Sequence, residues 1–487
     1  MVTHTIAFAA ICHSSTLDQV LPVRYLHIQL TDETGQNLTE SVGPLNVKVT
    51  GKPRECSFRR AIVDRFDGSY IFRLRPLSAC DKVEIEIKDS QGEPLCGDNI
   101  VLGGKGIPVL PENCDCPEST LEEWFKNRGC DKFSYTQLNK DLIQWDQIDF
   151  KNVLEKVESS WGHESRRLSA SLCHYRIRDN QIYRKCYGEY TGFKMFSDEI
   201  LQSLSRKMVL PDVDFIMNLG DWPLQPNKPD GVPIVSWCGS TDTMDIVMPT
   251  YELTLSVLNS MSSASLDIHT TRSKENVPWG LKKPTAVFRG RDSNKLRLDV
   301  AKMAQNRIDL IEGGITRYFF FDKDKHPPSV NHSSFYEFFK HKYVISIDGT
   351  VAAYRFPMLL SGDSVVLKSD SQYYEHFYAN MEANVHYVPF KTAEELEAII
   401  KNLEDKPEKP RKIIENANQF VQDHLQPLHI YCYYVKFFME YSKKLQPTSD
   451  INIDGMENAG KFSSRLPEAK NCRCGKMKDG LKKHSEL

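Results

Sequence analysis

The chain contains no run of about 18 consecutive apolar residues, so nothing in it reads as a membrane-spanning helix. It has no surplus of positive charge: 62 Lys and Arg stand against 65 Asp and Glu, a formal net charge of -3. A dedicated nucleic-acid binder needs such a surplus for its phosphate contacts, so that class is set aside and only local basic patches stay open. Also missing are the G-x-x-x-x-G-K-[ST] phosphate loop, the G-x-G-x-x-G dinucleotide turn, the H-E-x-x-H zinc helix and the G-x-S-x-G nucleophile elbow. There is no internal repeat, and neither a collagenous nor a disordered composition. No Cys-x-x-Cys clamp occurs; the nearest clusters, Cys114-Asp115-Cys116 and Cys472-Arg473-Cys474, have one intervening residue and make a structural zinc site a weak reading.

What remains is an ordinary globular composition, 487 residues with 40% hydrophobic, enough for about three folding units at roughly 150 residues each. The 13 cysteines are the unusual count. Disulfides in an oxidising lumen account for them best, and the odd total leaves at least one thiol unpaired within the chain. The chain ends His484-Ser485-Glu486-Leu487, a variant of the K-D-E-L retrieval signal of the endoplasmic reticulum. Two N-glycosylation sequons, at Asn37 and Asn331, agree with a lumenal address. Residues Met1 to Ser14 argue the other way: without a basic flank and with only a short apolar stretch, they make a poor signal peptide.

Alternation with period two runs through residues 21–104 and predicts a β-sandwich. In VEIEIKD, Val83, Ile85 and Ile87 share one face; in DGSYIFRLRP, Asp67-Gly68 is a turn that sends Tyr70, Phe72 and Leu74 inward. Residues 105–117, rich in Gly and Pro, read as a linker. Over 118–446 apolar strands (DFIMNLG, PTAVFRG, YVISIDG, DSVVLK, VHYVPF) alternate with helical stretches and predict parallel sheets. SFYEFFKHK reads as one such helix and Thr350 to Gly362 as another. Residues 447–487 read as a polar, locally basic, solvated tail.

Three constellations could carry chemistry. The first is Asp348-Gly349-Thr350 followed at once by Val351, Ala352, Ala353, Tyr354 and Arg355, where a helix opening at Thr350 would offer free N–H groups to a phosphate and Arg355 a fixed charge. An ordinary strand–helix junction looks the same. The second is Arg289-Gly290-Arg291-Asp292 with Lys295 and Arg297, cations beyond a buried strand that either grip a diphosphate or form an ion-pair network with Asp292 and Asp299. The third is Asp221 in NLGDWP, a carboxylate just past a strand that serves either as a general base toward a hydroxyl or as a turn residue. Asp245 is read as a further cleft carboxylate or a turn residue. The two Asp-x-Asp strings, Asp212/Asp214 and Asp322/Asp324, are discounted as metal holders by their contexts.

Taken together, SLCHYRIRDNQIYR, NLGDWP, SWCGSTDTMDIVMPTYE, FRGRDS, HKYVISIDGTVAAYRFPMLLSGDSVVLK and YYEHFY strongly resemble the Rumi-type, capsule-associated glycosyltransferases. Within that family the chain resembles the protein O-glucosyltransferases with an N-terminal filamin-type immunoglobulin-like domain and a KDEL-like tail; DGSYIFRLRP is similar to the filamin signature. The resemblance implies an α/β fold with a two-lobed GT-B-like domain behind the sandwich. It implies inverting transfer of glucose or xylose from a UDP-sugar to Ser of EGF-like repeats, of the Notch type or in matrix proteins, without a metal or other cofactor. Asp221 matches the family's base, Arg297 a UDP-sugar contact, and Thr350 to Arg355 the nucleotide-sugar loop, with Arg289 and Arg291 beside them. Arg291 stands where some members carry a Ser, and the family's aromatic acceptor segment has no match between Asp245 and Arg289. The family's cystines imply Cys116–Cys432, with Cys114–Cys130 as its neighbour.

The expected protein is thus an endoplasmic-reticulum enzyme held there by a retrieval receptor that reads its C-terminus, with no nucleic-acid partner and no membrane span. Two other readings stand beside it. One is a non-enzymatic lumenal binding or quality-control protein that works through the sandwich. The other is a transferase directed at polysaccharide.

Overall fold

The computed structural model describes residues 9–13, 24–96, 99–104, 108–117, 120–161, 171–257, 277–447, 452–461 and 472. The C-terminal His-Ser-Glu-Leu and most of the N-terminal segment lie outside these residues. The described residues form a mixed α/β structure with five sheets.

Two antiparallel sheets come first. Strands Ala9–His13, Arg24–Thr31, Ser69–Pro76 and Phe58–Asp64 form one; Asn46–Lys52, Lys82–Lys88 and Ile100–Gly103 form the other. Leu26, Ile28, Tyr70, Phe72 and Leu74 of the first meet Val49, Val83, Ile85, Ile87 and Leu102 of the second in one core. The alternation in the sequence therefore does make a sandwich. The Asp67-Gly68 turn forms as expected: the Asp67 carboxylate accepts the Ser69 N–H at 3.1 Å. Gly68 has φ 79°, and a Cβ there would sit 2.3 Å from the Leu38 carbonyl oxygen. Arg65 bolts the sandwich to the rest of the chain by donating to the Asn418 side-chain oxygen at 2.8 Å.

The α/β part has two main sheets. One contains Lys283–Arg291, Ile311–Arg317, His341–Ser346, Val365–Ser369 and Val388–Phe390, all parallel. The other contains Ile246–Val247, Ile234–Ser236, Val213–Asn218, Leu172–Arg178, Gln181–Tyr187 and Glu457–Asn458, in that order. Here the expectation of a parallel sheet fails on one side. Asp179 and Asn180, both with positive φ, turn the chain back within two residues, and so tight a connection can only join antiparallel neighbours. The tail corrects a second expectation. Glu457–Asn458 pairs with Gln181–Tyr187 as an edge strand, so this part of the C-terminal segment is docked.

The disulfides correct a third. Cys432 pairs with Cys130, 302 residues away, and Cys114 with Cys472, 358 residues away. Cys432 lies on the buried helix Pro427–Ser442, which packs on the short 3-10 turn holding Cys130. Cys116 is disulfide-bonded but is held elsewhere, its N–H on the Arg206 carbonyl and its neighbour Glu112 buried against Arg206 and Lys207. Two bridges are local, Cys56–Cys80 and Cys173–Cys186, and Cys238 is the free buried thiol among the described residues.

Candidate active site

The strand Val213–Asn218 ends on the fully buried Asn218, which folds the following turn around itself. Its side-chain oxygen accepts the Gly220 N–H at 2.9 Å, and its NH2 donates to the Trp222 carbonyl and to Ser236 Oγ at 3.1 Å. Asp221 is thereby presented outward. Its backbone carbonyl is clamped by the Tyr354 hydroxyl at 3.0 Å and the Cys238 thiol at 3.1 Å. Burial pushes the Cys238 pKa up to about 12, so the sulfur keeps the proton it donates. The Asp221 carboxylate itself takes no hydrogen bond from the described residues, and desolvation by the surrounding protein raises its pKa above the ordinary carboxylate value.

Tyr354, which clamps Asp221, also lines a cleft of about 420 Å3 that has a cationic wall. Arg289, Arg291, Arg297 and Arg355 all line it, together with Tyr251, Glu252, Thr316 and Ser333. Arg297 is almost fully buried on the helix Lys295–Asn306, and it spends its guanidinium on the chain itself. Its donors reach the carbonyls of Ile347 (2.7 Å), Asp348 (3.1 Å) and Arg291 (3.1 Å) and Ser293 Oγ (3.0 Å). Burial, with help from Arg355, lowers its pKa to about 9. Gly290 and Gly349 admit this side chain: a Cβ on either would stand 3.3 Å from a guanidinium nitrogen. Arg289 donates to the Asn331 carbonyl at 2.7 Å, and Arg291 lies 5.1 Å over the Phe319 ring.

Arg355 is different. One nitrogen donates to the Arg289 carbonyl at 2.7 Å, while Nη2 is buried and has no partner. Its guanidinium thus keeps a buried donor that the described residues leave unused.

Residues 350–355 do not form the expected helix start. The helix is Phe356–Leu360, with Pro357 in its first turn. Upstream, Asp348 accepts the Ala353 N–H at 3.0 Å and Gly349 N–H bonds to the Val351 carbonyl, which turns the chain into a packed loop. Val351, Ala352, Ala353 and Tyr354 are all buried. Pro favours a helix's first turn and its ring disfavours helix further in, so the helix begins late. The 3-10 turn Phe335–Lys340 likewise replaces the α-helix expected of SFYEFFKHK.

The bland readings hold elsewhere. Asp245 is buried and clamps the N–H groups of Leu224 (2.9 Å) and Gln225 (2.8 Å) and the Ser236 hydroxyl (2.6 Å), so it is structural. The ion-pair network offered for the second constellation is not what Asp292 makes: its carboxylate holds the N–H groups of Phe319, Phe320 and Phe321 instead of the neighbouring arginines. Asp214 is buried against His174 and Arg176, and Asp322 accepts the Asp324 N–H. Both sequon asparagines are exposed; His332 and Ser333 of the second line the cleft.

Sequence reasoning missed Tyr251 and Glu252. They open the helix Tyr251–Val257, with Thr250 as its cap, directly after the buried run 244–250. Only the unusual Glu in an apolar string could have marked them.

An outward carboxylate beside a cleft lined by guanidiniums suits an enzyme that deprotonates a hydroxyl and releases an anionic leaving group. The sequence profile of glycosyl transferase family 90 matches residues 126–465, and the chain belongs to that family: it is a glycosyltransferase. It is 42% identical over 454 residues to protein O-glucosyltransferase 2 of Danio rerio, covering 90% of this chain and 87% of that one. Over 453 residues it is 39% identical to human protein O-glucosyltransferase 3, with the same coverage. Human protein O-glucosyltransferase 1 is 24% identical over 339 residues, 63% of this chain and 85% of that one.

Proposed function

We propose that this protein transfers glucose, or xylose, from a UDP-sugar to Ser hydroxyls of EGF-like repeats, with inversion at the anomeric carbon and without a metal. Asp221 takes the proton of the acceptor hydroxyl while its oxygen forms a bond to the anomeric carbon. The bond from that carbon to the diphosphate oxygen breaks, and UDP departs with the electron pair. Arg355, held in place by the Arg289 carbonyl, meets the growing negative charge through its unpartnered Nη2. Arg297 supports the same loop from beneath. The two main sheets are read as the lobes of a GT-B-like domain, and the sandwich as filamin-type. The disulfides and the C-terminal His-Ser-Glu-Leu support an endoplasmic-reticulum address with retrieval by a receptor.

The observation that carries this reading is the free Asp221 carboxylate, tied by its backbone to Tyr354 next to Arg355 with its unused donor, in a chain whose relatives are named protein O-glucosyltransferases. The test is to incubate the purified protein with a folded EGF-like repeat, UDP-glucose and UDP-xylose and weigh the product. One added hexose or pentose on Ser is expected; an unmodified repeat would overturn the proposal.

A further inference from the structure

Glu252 is a carboxylate that the reaction as written does not use. It lines the cleft with Arg355 and Tyr251. Its Oε2 is buried and has no hydrogen-bond partner, and among the described residues no cation lies within ion-pair distance of it. A buried acceptor left unmade is costly unless something supplies donors. Glu252 lines the cleft with Arg355 and feels the fields of both Arg355 and Asp221, so it lies near the interval between the diphosphate cation and the base. In an in-line displacement the transferred sugar must occupy that interval, because its anomeric carbon is bonded to the diphosphate and attacked by the hydroxyl that the base serves. A carboxylate there faces a ring of hydroxyl donors. Burial and the nearness of Asp221 raise the Glu252 pKa to about 7 despite Arg355, so the group can accept one hydroxyl and donate to another.

We propose that Glu252 is the donor-sugar contact of this enzyme, a specificity-determining residue that hydrogen-bonds hydroxyls of the transferred monosaccharide. The inference rests on the transferase reading above and names a residue within that site.

The test compares E252A and E252Q with the intact protein in two measurements: affinity for UDP alone by calorimetry, and kcat/KM with UDP-glucose and UDP-xylose. E252A is expected to lose about 10- to 100-fold in kcat/KM, the range of a hydrogen bond to a charged group, while UDP affinity stays within about twofold. E252Q, which keeps one acceptor and matches the size, recovers part of the loss. It also guards against misfolding, as does an unchanged melting temperature. Equal losses with both donors would place the contact on hydroxyls they share, and a loss with glucose alone would place it on the hydroxymethyl group; either sustains the proposal. Unchanged kcat/KM, or UDP itself weakened as much as UDP-glucose, overturns it. If the unmutated protein uses neither donor, the transferase reading has failed instead.

Discussion

The two walls of the cleft carry opposite charge and hold it by opposite means. On the side of the mixed sheet, Glu252 in the cleft and Asp221 beside it have carboxylates that the described residues leave without hydrogen bonds, and desolvation raises the pKa of both. On the side of the parallel sheet, Arg297 is saturated by carbonyls, and burial lowers its pKa and that of Arg355. The acids are poised to exchange protons; the cations are fixed in place. An enzyme that must both remove a proton and receive a dianionic leaving group needs this asymmetry, because a base tied up in hydrogen bonds is a weak base, whereas a loose cation must be ordered at the moment of reaction.

The sharpest way to break the comparison is D221N. It should lower transfer by about 10²–10⁴-fold with UDP affinity intact, measured by product mass and calorimetry. Because the folded pKa of Asp221 is raised, ionising it opposes folding as pH rises through that value; the Asn variant should therefore melt no lower than the parent at neutral pH. A lower melting temperature would mean that Asp221 is a structural turn residue.

The cationic wall divides next. R355A should weaken UDP binding about 10- to 100-fold with little change in melting temperature, since only one of its bonds is to the chain. R297A should lose both affinity and stability, and R297K should not restore it, because a point-charge ammonium cannot reach four acceptors in one fork. Equal behaviour of the two would erase the distinction drawn here.

Removing the Cys130–Cys432 bridge as the double Ser variant should cost about 2–5 kcal/mol in a denaturant titration, since it ties the C-terminal helix to the other end of the domain. The pH profile of kcat/KM should show an acidic limb above the usual Asp value of about 3.9, activity rising as Asp221 loses its proton. A limb at or below that value would remove Asp221 as base. Smallest of all, R65A should cost about 1 kcal/mol and leave activity toward a peptide acceptor unchanged, because the bond to Asn418 joins the sandwich to the catalytic domain far from the cleft.

The parallel side was the more legible. Strands Lys283–Arg291, His341–Ser346, Val365–Ser369 and Val388–Phe390 all fall on the expected apolar runs. A buried parallel strand is a continuous apolar segment, readable from a few neighbours. The mixed side was less legible: the hairpin Leu172–Tyr187 buries His174, Arg176 and Arg184, which obscures its apolar pattern. The loop 350–355 was misread for a related reason. Its residues favour a helix, but the Asp348 bond to Ala353 and burial of the whole segment outweigh that local preference.

By itself, then, the sequence determined the sandwich, the parallel sheet and the family, and marked Asp221, Arg297 and Arg355 as candidates, because periodicity and motifs are properties of short stretches of chain. Only the tertiary structure decided which cysteines meet, that Arg355 and not a helix end offers the free donor, that Asp245 is a clamp, and that Glu252 enters the cleft. Each of those depends on side chains far apart in the chain competing for the same partners, and that competition is settled only when the core closes.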